Sequence, residues 1–156
     1  MKIPEYWTFK NSEVADNFDN HVREQLPWYD LATDAVIHFI RHYLPENGLI
    51  YDIGASTGNL LNKMDAILHS RNGTYHGIDN SQKMIDQWRT KTNYSDSSIT
   101  LSEATDFDYK PFDCAVLFLV LMFVPFNKRK ELLLKLFDLC SDGGIIIIVD
   151  KSEQPK

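Results

Sequence analysis

The stretch LIYDIGASTGN, residues 49–59, constrains the fold of this chain more than any other. An apolar run ending in Asp52 passes straight into glycines at 54 and 58, and amphipathic spacing resumes at Leu60, Leu61, Met64 and Leu68. That order predicts a strand, a tight turn and a helix, with the turn presenting backbone N–H groups at a helix start. It reads as a ligand cradle.

The flanking sequence shows what surrounds such a unit. Val14, Phe18, Val22 and Leu26 recur every four residues behind Ser12, an N-cap residue type, and predict a helix over 12–26 that Pro27 ends. Trp28 and Tyr29 sit in the break. Asp30 or Thr33 opens a second helix with Ala35, Val36, Phe39, Ile40 and Leu44 inward, closed by Pro45, Asn47 and Gly48.

Beyond the strand at 49–53, the pattern predicts a helix near 58–69, a strand at 74–79 and a helix from Ser81 to about Thr92. Strands at 99–102 and 113–119 follow. Asn127 is placed to cap a helix with Leu132, Leu133, Leu136, Phe137 and Leu139 inward, and Asp142-Gly143-Gly144 turns the chain into a strand at 145–149. Strands without two-residue alternation, separated by helices, indicate a parallel sheet covered on both faces, with ligands gathering at the carboxyl ends of the strands. The length fits a single domain, with residues 1–45 as a helical cap and 46–156 as the α/β core.

Composition narrows the function classes. A net charge of -6 and a pI near 5.3 argue against a broad nucleic-acid surface, and Lys128, Arg129 and Lys130 read as a solvated helix face. The longest near-continuous apolar run, 114–126, is too short for a membrane span, and the first ten residues lack the apolar core of a secretion signal. Cys114 and Cys140 stand in apolar surroundings without metal-ligand spacing, so they read as small buried thiols. A cytoplasmic protein is the expectation.

Three chemistries compete for the cradle. Gly54-Ala55-Ser56-Thr57-Gly58 fits the G-x-S-x-G nucleophile elbow, but that chemistry needs a later histidine, and the histidines stand at 21, 38, 42, 69 and 76. A dinucleotide fingerprint requires glycine where the chain has Ser56 and Asn59. An S-adenosylmethionine site instead needs an acid closing the first strand, a Gly-rich turn and a second acid closing the next strand; Asp52 and Asp79 occupy those places. The Asp79 carboxylate can accept from both hydroxyls of a ribose, and it can also cap the following helix with Asn80 and Ser81.

With these residues in hand, the chain resembles the class I S-adenosylmethionine-dependent methyltransferases, and within them is similar to the carboxy-S-adenosylmethionine synthases of tRNA wobble-uridine modification. The matching stretches are WTFKNSEVADNF at 7–18, VREQLPWYD at 22–30, YDIGASTGN at 51–59, GIDNSQKMID at 77–86 and LFDLCSDGGIIIIVDK at 136–151. The resemblance implies a Rossmann-like sheet of about five strands in the order 3-2-1-4-5, without the family's C-terminal strand pair. It implies S-adenosyl-L-methionine or S-adenosyl-L-homocysteine as the ligand, with carboxy-S-adenosylmethionine as a further option. Carried over by position, Tyr29 closes over the methionine end, Gly54, Ala55 and Ser56 line the cradle, and Asp79 and Asn80 hold the ribose and adenine side; Asp52 and Gly58 join the expected cofactor-binding set from the strand-turn pattern itself.

The chain also departs from that family. Where a Gly-Asp pair usually stands beside the adenine, this chain has Glu103-Ala104-Thr105-Asp106-Phe107, so Asp106 serves, with Phe107 as a stacking wall. Phe118 takes the place of a polar Asn facing the cofactor, and LVLMFVP continues an apolar wall. The portion carrying the arginine expected to hold the extra carboxylate of the synthase has no counterpart in the sequence. Methyl transfer to an acceptor of open identity is the leading expectation; a reduced binding or protein-interaction module and carboxy-S-adenosylmethionine synthesis are the alternatives. Any general base falls among Tyr29, Asp30 and His21. A strand such as 145–149 at the sheet edge would expose apolar surface, so a second copy or another protein is expected to cover it.

Overall fold

The computed structural model describes residues 12–151. Residues 1–11 and 152–156, with the side chains of Ser12 and Glu13, lie outside the described residues, and so do the proposed Ser12 cap and the start of the helical cap. The elements are α1 (Ser12–Gln25), α2 (Tyr29–Tyr43), β1 (Leu49–Ile53), α3 (Asn59–Arg71), β2 (Thr74–Asp79) and α4 (Gln82–Lys91), then β3 (Ser97–Leu101), β4 (Phe112–Phe118), α5 (Phe126–Leu139) and β5 (Cys140–Val149). A single 3-10 turn, Leu121–Phe123, joins β4 to α5.

The strands form a parallel sheet in the order β3-β2-β1-β4-β5. Alternate residues of β1 and β4 enter two separate cores. On one face Ile50, Cys114 and Val116 meet Ile40 and Leu44 of α2, Leu61, Met64 and Leu68 of α3, and Trp88 of α4. On the other, Ile53, Ala115 and Leu117 meet Leu132 and Leu136 of α5. Burial on both faces explains why these strands read as continuous apolar runs. Both cysteines are free; Cys114 is buried and Cys140 half-buried. Among the described residues no helix is long and apolar enough to cross a membrane.

Several expectations are corrected. The buried stripe of α2 is Tyr29, Thr33, Val36, Ile37 and Ile40, continued by Leu44, whereas Ala35 and Phe39 face outward. The helix opens on buried Tyr29, which sets the phase, and the Thr33 hydroxyl donates to the Tyr29 carbonyl at 2.8 Å, allowing a polar residue inside. On α5, Phe137 is 73% exposed because the inward stripe is set by Leu132 and Leu136, and the helix opens at Phe126 behind Pro125 rather than behind Asn127. β3 begins at Ser97 rather than at Ile99. Asp142-Gly143-Gly144 is a bulge inside β5 and not a turn before it. Phe112 pairs with Cys140 while Cys114 pairs with Ile145, so the extra residues loop out through Gly143 at φ +80°.

Asp19 fastens α1 to the cradle. Asp19 of α1 accepts from Thr57 Oγ1 at 2.6 Å, Asn59 Nδ2 at 2.8 Å and Lys91 Nζ at 2.8 Å. Burial pushes the Asp19 carboxyl up, but these donors outweigh it and hold it below the usual range. Replacing Asp19 by alanine is expected to cost roughly 1–3 kcal/mol, because three donors lose a charged acceptor. Urea unfolding measures the loss, and limited proteolysis is expected to cut α1 first; unchanged stability and unchanged cleavage would contradict the clamp.

Candidate functional site

β1 ends at Ile53 beside the carboxyl ends of β2 and β4, at the point where the strand order reverses direction from β1, the usual position of a ligand crevice in such sheets. A cavity of about 710 Å³ opens there. Its floor is the cradle, its roof is α1 and the start of α2, and its far wall is the segment after β4. The volume is in the range of small-molecule and cofactor sites.

The cradle is shaped by backbone conformations that sequence alone indicated only through its glycines. Gly54 has φ +78°, Ser56 +52° and Gly58 +89°. A Cβ on Gly54 would stand 2.4 Å from Val120 Cγ2, so glycine there meets both a strained φ and a close approach. The N–H groups of Gly54 and Ala55 both donate to the Ile78 carbonyl, at 2.7 and 3.0 Å. Ser56 N donates to Asp79 Oδ2 at 2.9 Å, and Gly58 N to the Ala55 carbonyl at 3.1 Å. These donors are therefore directed inward, which corrects the expectation of a turn presenting its N–H groups to a ligand.

Two buried carboxylates, and the exposed Glu103, border the cavity. Asp52, 2% exposed, accepts from the Tyr75 hydroxyl at 2.5 Å. Asp79, 9% exposed, accepts from Ser56 N and, through Oδ1, from Ser81 N at 2.8 Å. Ser81 caps α4 by accepting from Met84 N. Capping work at the start of α4 is thus divided between Asp79 and Ser81, and Asp79 still faces the cavity.

Of the residues singled out from sequence, Tyr29, Asp52, Gly54, Ala55, Ser56, Asp79, Asn80 and Phe118 line this one cavity. Tyr29 and Phe118 pack edge to face with centroids 5.2 Å apart, and Asn80 Nδ2 lies 3.2 Å from both Glu103 carboxylate oxygens. Gly58 and Asp106 are not on the lining. Gly58 packs beneath the cradle, where a Cβ would be 2.4 Å from Thr92 Cγ2, and Asp106 is exposed with its carboxylate accepting from Thr105. Phe107 packs under the sheet against Tyr51, His76 and Tyr109 rather than in the cavity. After β3 it is Glu103, Ala104 and Thr105 that reach the site.

Sequence reasoning also missed the carboxyl end of β4. Leu119 adopts φ +58° and donates its N–H to the Val149 carbonyl at 2.6 Å. A leucine in the left-handed region is strained, at roughly 1–3 kcal/mol. It turns the chain so that Phe118 and Val120 both border the cavity. A leucine within an apolar run carries no signal of that conformation.

Against this geometry, the family described as a methyltransferase domain matches residues 51–146. The chain belongs to that methyltransferase family. It is 32% identical over 148 residues to the carboxy-S-adenosyl-L-methionine synthase of Staphylococcus epidermidis, covering 95% of this chain and 64% of that protein. To the synthase of Wolinella succinogenes it is 31% identical over 144 residues, covering 90% and 60%. The chain thus spans under two thirds of the length of these curated relatives. In fold it is similar to the plantazolicin methyltransferase BpumL bound to a desmethylPZN analogue and SAH (TM-score 0.68, 19% identity, 92% of this chain and 58% of that one). It is similar as well to DhpI in a complex with SAM and HEP (TM-score 0.70, 16% identity, 93% and 63%).

The electrostatics of this methyltransferase-family site follow from its burial. Burial pushes the Asp52 carboxyl up to about 7, against the pull of the Tyr75 bond, and the Asp79 charge adds to the rise. Burial also raises Asp79, partly offset by the N–H groups of Ser81 and Ser56. With its folded value raised, Asp52 contributes stability that is full below its unfolded value and is lost as pH climbs through about 7. In ligand-free protein, Asp52→Asn is therefore expected to stabilise more at pH 8 than at pH 5, relative to wild type. Urea unfolding at the two pH values checks this, and an equal effect at both would remove the buried-charge account.

Proposed function

We propose that the chain binds S-adenosylmethionine in this cavity and transfers its methyl group to an acceptor. The observation carrying this reading is the pair of buried carboxylates closing adjacent parallel strands on either side of the glycine cradle. Asp52 suits a cationic amino group at the cavity floor. The Asp79 carboxylate accepts N–H groups from Ser56 and Ser81, with Asn80 N–H also close, and of its roughly four acceptor positions it keeps capacity toward the cavity for ribose hydroxyls. Asn80 stands on the ribose and adenine side, and Tyr29 with Phe118 closes an apolar wall over the opposite end.

Bound S-adenosylmethionine supplies a methyl group activated by a sulfonium, whose departure needs no proton. The chain's own task is then to align acceptor and methyl and to exclude water, for which an apolar wall at 118–124 is adequate. Where an acceptor must lose a proton, His21 is the base we favour among the three candidates. It lines the cavity, whereas Asp30 does not and is bonded to Arg23. Tyr29 lines it too, but burial raises its phenol, which makes it a poor base at neutral pH.

Calorimetric titration with S-adenosylmethionine and S-adenosylhomocysteine tests the reading. Wild type is expected to bind both, and Asp79→Ala to weaken binding by about tenfold or more, as removing a charged acceptor from two hydroxyls requires. Absence of binding would leave a protein-interaction role for the fold, and unchanged binding by the variant would remove the ribose assignment. The synthase relatives motivate a second reading, carboxy-S-adenosylmethionine as ligand or product. Mass spectrometry of ligand released on denaturation separates the two by mass.

We further propose that the edge of β5, with Ile148 exposed and one side of the strand unpaired among the described residues, is covered in solution by a second copy of the chain or by another protein. Size-exclusion chromatography with light scattering is expected to give a dimer or larger assembly at micromolar concentration. A stable monomer there would eliminate self-association.

A further inference from the structure

We propose that Tyr75 is a positioning residue of this site: from β2 its hydroxyl fixes one carboxylate oxygen of Asp52 and leaves the other for the cationic amino group of S-adenosylmethionine. This rests on the S-adenosylmethionine reading above.

Register makes the contact. Tyr75 pairs with Ile50 and Gly77 with Asp52, so Tyr75 lies diagonally behind Asp52 on the same face of the sheet. Gly77, opposite Asp52, has no side chain, and a Cβ there would come within 2.9 Å of Ala55 Cβ. Along this face the Tyr75 hydroxyl reaches Asp52 Oδ2 at 2.5 Å. The register, two residues back from the position opposite Asp52, is thus what places a phenol behind an acid on β1.

The ring is held from the far side. Trp88 of α4 stacks on Tyr75 with centroids 6.2 Å apart and planes 19° from parallel. Trp88 also packs close to the cradle, where a Cβ on Gly58 would be 3.0 Å from its Cδ1. Tyr75 is fully buried, and among the described residues no second donor reaches the Asp52 carboxylate. A phenylalanine would fill the same volume, so the hydroxyl has a role that packing does not require.

The proton sits on the phenol. Burial raises Tyr75 well above the ordinary phenol range, and the Asp52 charge adds to the rise, so the tyrosine donates and the carboxylate accepts. The other titratable groups felt at Asp52 are Asp79, at the end of β2, and Tyr29 on α2. Asp79 disfavours the Asp52 anion, which leaves the Tyr75 bond as the protein's own means of keeping Asp52 charged near neutral pH.

Carbon-13 NMR titration of the Asp52 carboxyl in ligand-free wild type and Tyr75→Phe, with S-adenosylhomocysteine calorimetry from pH 6 to 9, tests the assignment. The midpoint is expected to rise in the variant from about 7. Affinity is expected to fall about tenfold or more at pH 7, with the deficit narrowing toward pH 9. An unmoved midpoint with a pH-independent loss of affinity would overturn the proposal and reduce Tyr75 to packing. If Tyr75→Phe does not fold, biosynthetic 3-fluorotyrosine keeps the ring and strengthens the donor; the midpoint is then expected to fall, and no change overturns the proposal. Wild type failing to bind S-adenosylhomocysteine refutes the cofactor reading, while the titration still decides whether Tyr75 holds Asp52.

Discussion

The site depends on how the end of β2 is joined to the cradle. The Ile78 carbonyl takes the N–H groups of Gly54 and Ala55, and the next residue, Asp79, takes those of Ser56 and Ser81. Two consecutive residues of one strand thereby fix the turn after β1 and the start of α4 relative to each other. A charged acceptor bonded to backbone donors is stronger than a neutral one, and burial leaves its partners no alternative in water. The cavity floor inherits its shape from this junction, and the roof is fastened to the same turn through Asp19, bonded to Thr57 and Asn59.

Much of this was legible in the sequence because the signals are local. Asp52 and Asp79 close apolar runs, and the glycines at 54 and 58 mark positive backbone angles that the structure contains. The parallel sheet follows from strands buried on both faces, visible as LIYDI and FDCAVLF, while the IIIIV run reads the same way but lies half-buried at the sheet edge. What escaped was determined by tertiary context. The phase of α2 depends on Tyr29 being buried against Phe118, and a helical pattern with apolar residues at both Val36 and Phe39 permits either rotation. The segment after β3 could be shifted in register without penalty in sequence, and packing of Phe107 against Tyr51 decided it. The strain at Leu119 has no local marker at all.

Charge and apolarity are segregated within the cavity. Asp52, Asp79 and Glu103 border one side, whereas Phe118, Val120, Met122 and Phe123 border the other. A ligand with a cationic and hydroxyl-rich part and a less polar part meets complementary surfaces, and the reverse orientation would strand both carboxylates against carbon. A ligand of that kind would be oriented by desolvation as much as by any single contact. The belonging of this chain to a methyltransferase family is consistent with that division, because methyl transfer needs a fixed donor beside a dry acceptor space.

The inward-turned N–H groups of the cradle bear on what competes for it in a cell. In phosphate-binding glycine loops the backbone donors point out and draw anions to the helix end. Here the donors of Gly54, Ala55, Ser56 and Gly58 are bonded within the protein, and carboxylates stand at the rim. A loop that looks in sequence like a nucleotide loop has the opposite polarity, and its four bonded donors offer a polyphosphate no backbone counter-charge. An anion docking on this turn would meet carboxylate oxygens instead of amide protons, a polarity set by the direction in which four N–H bonds point.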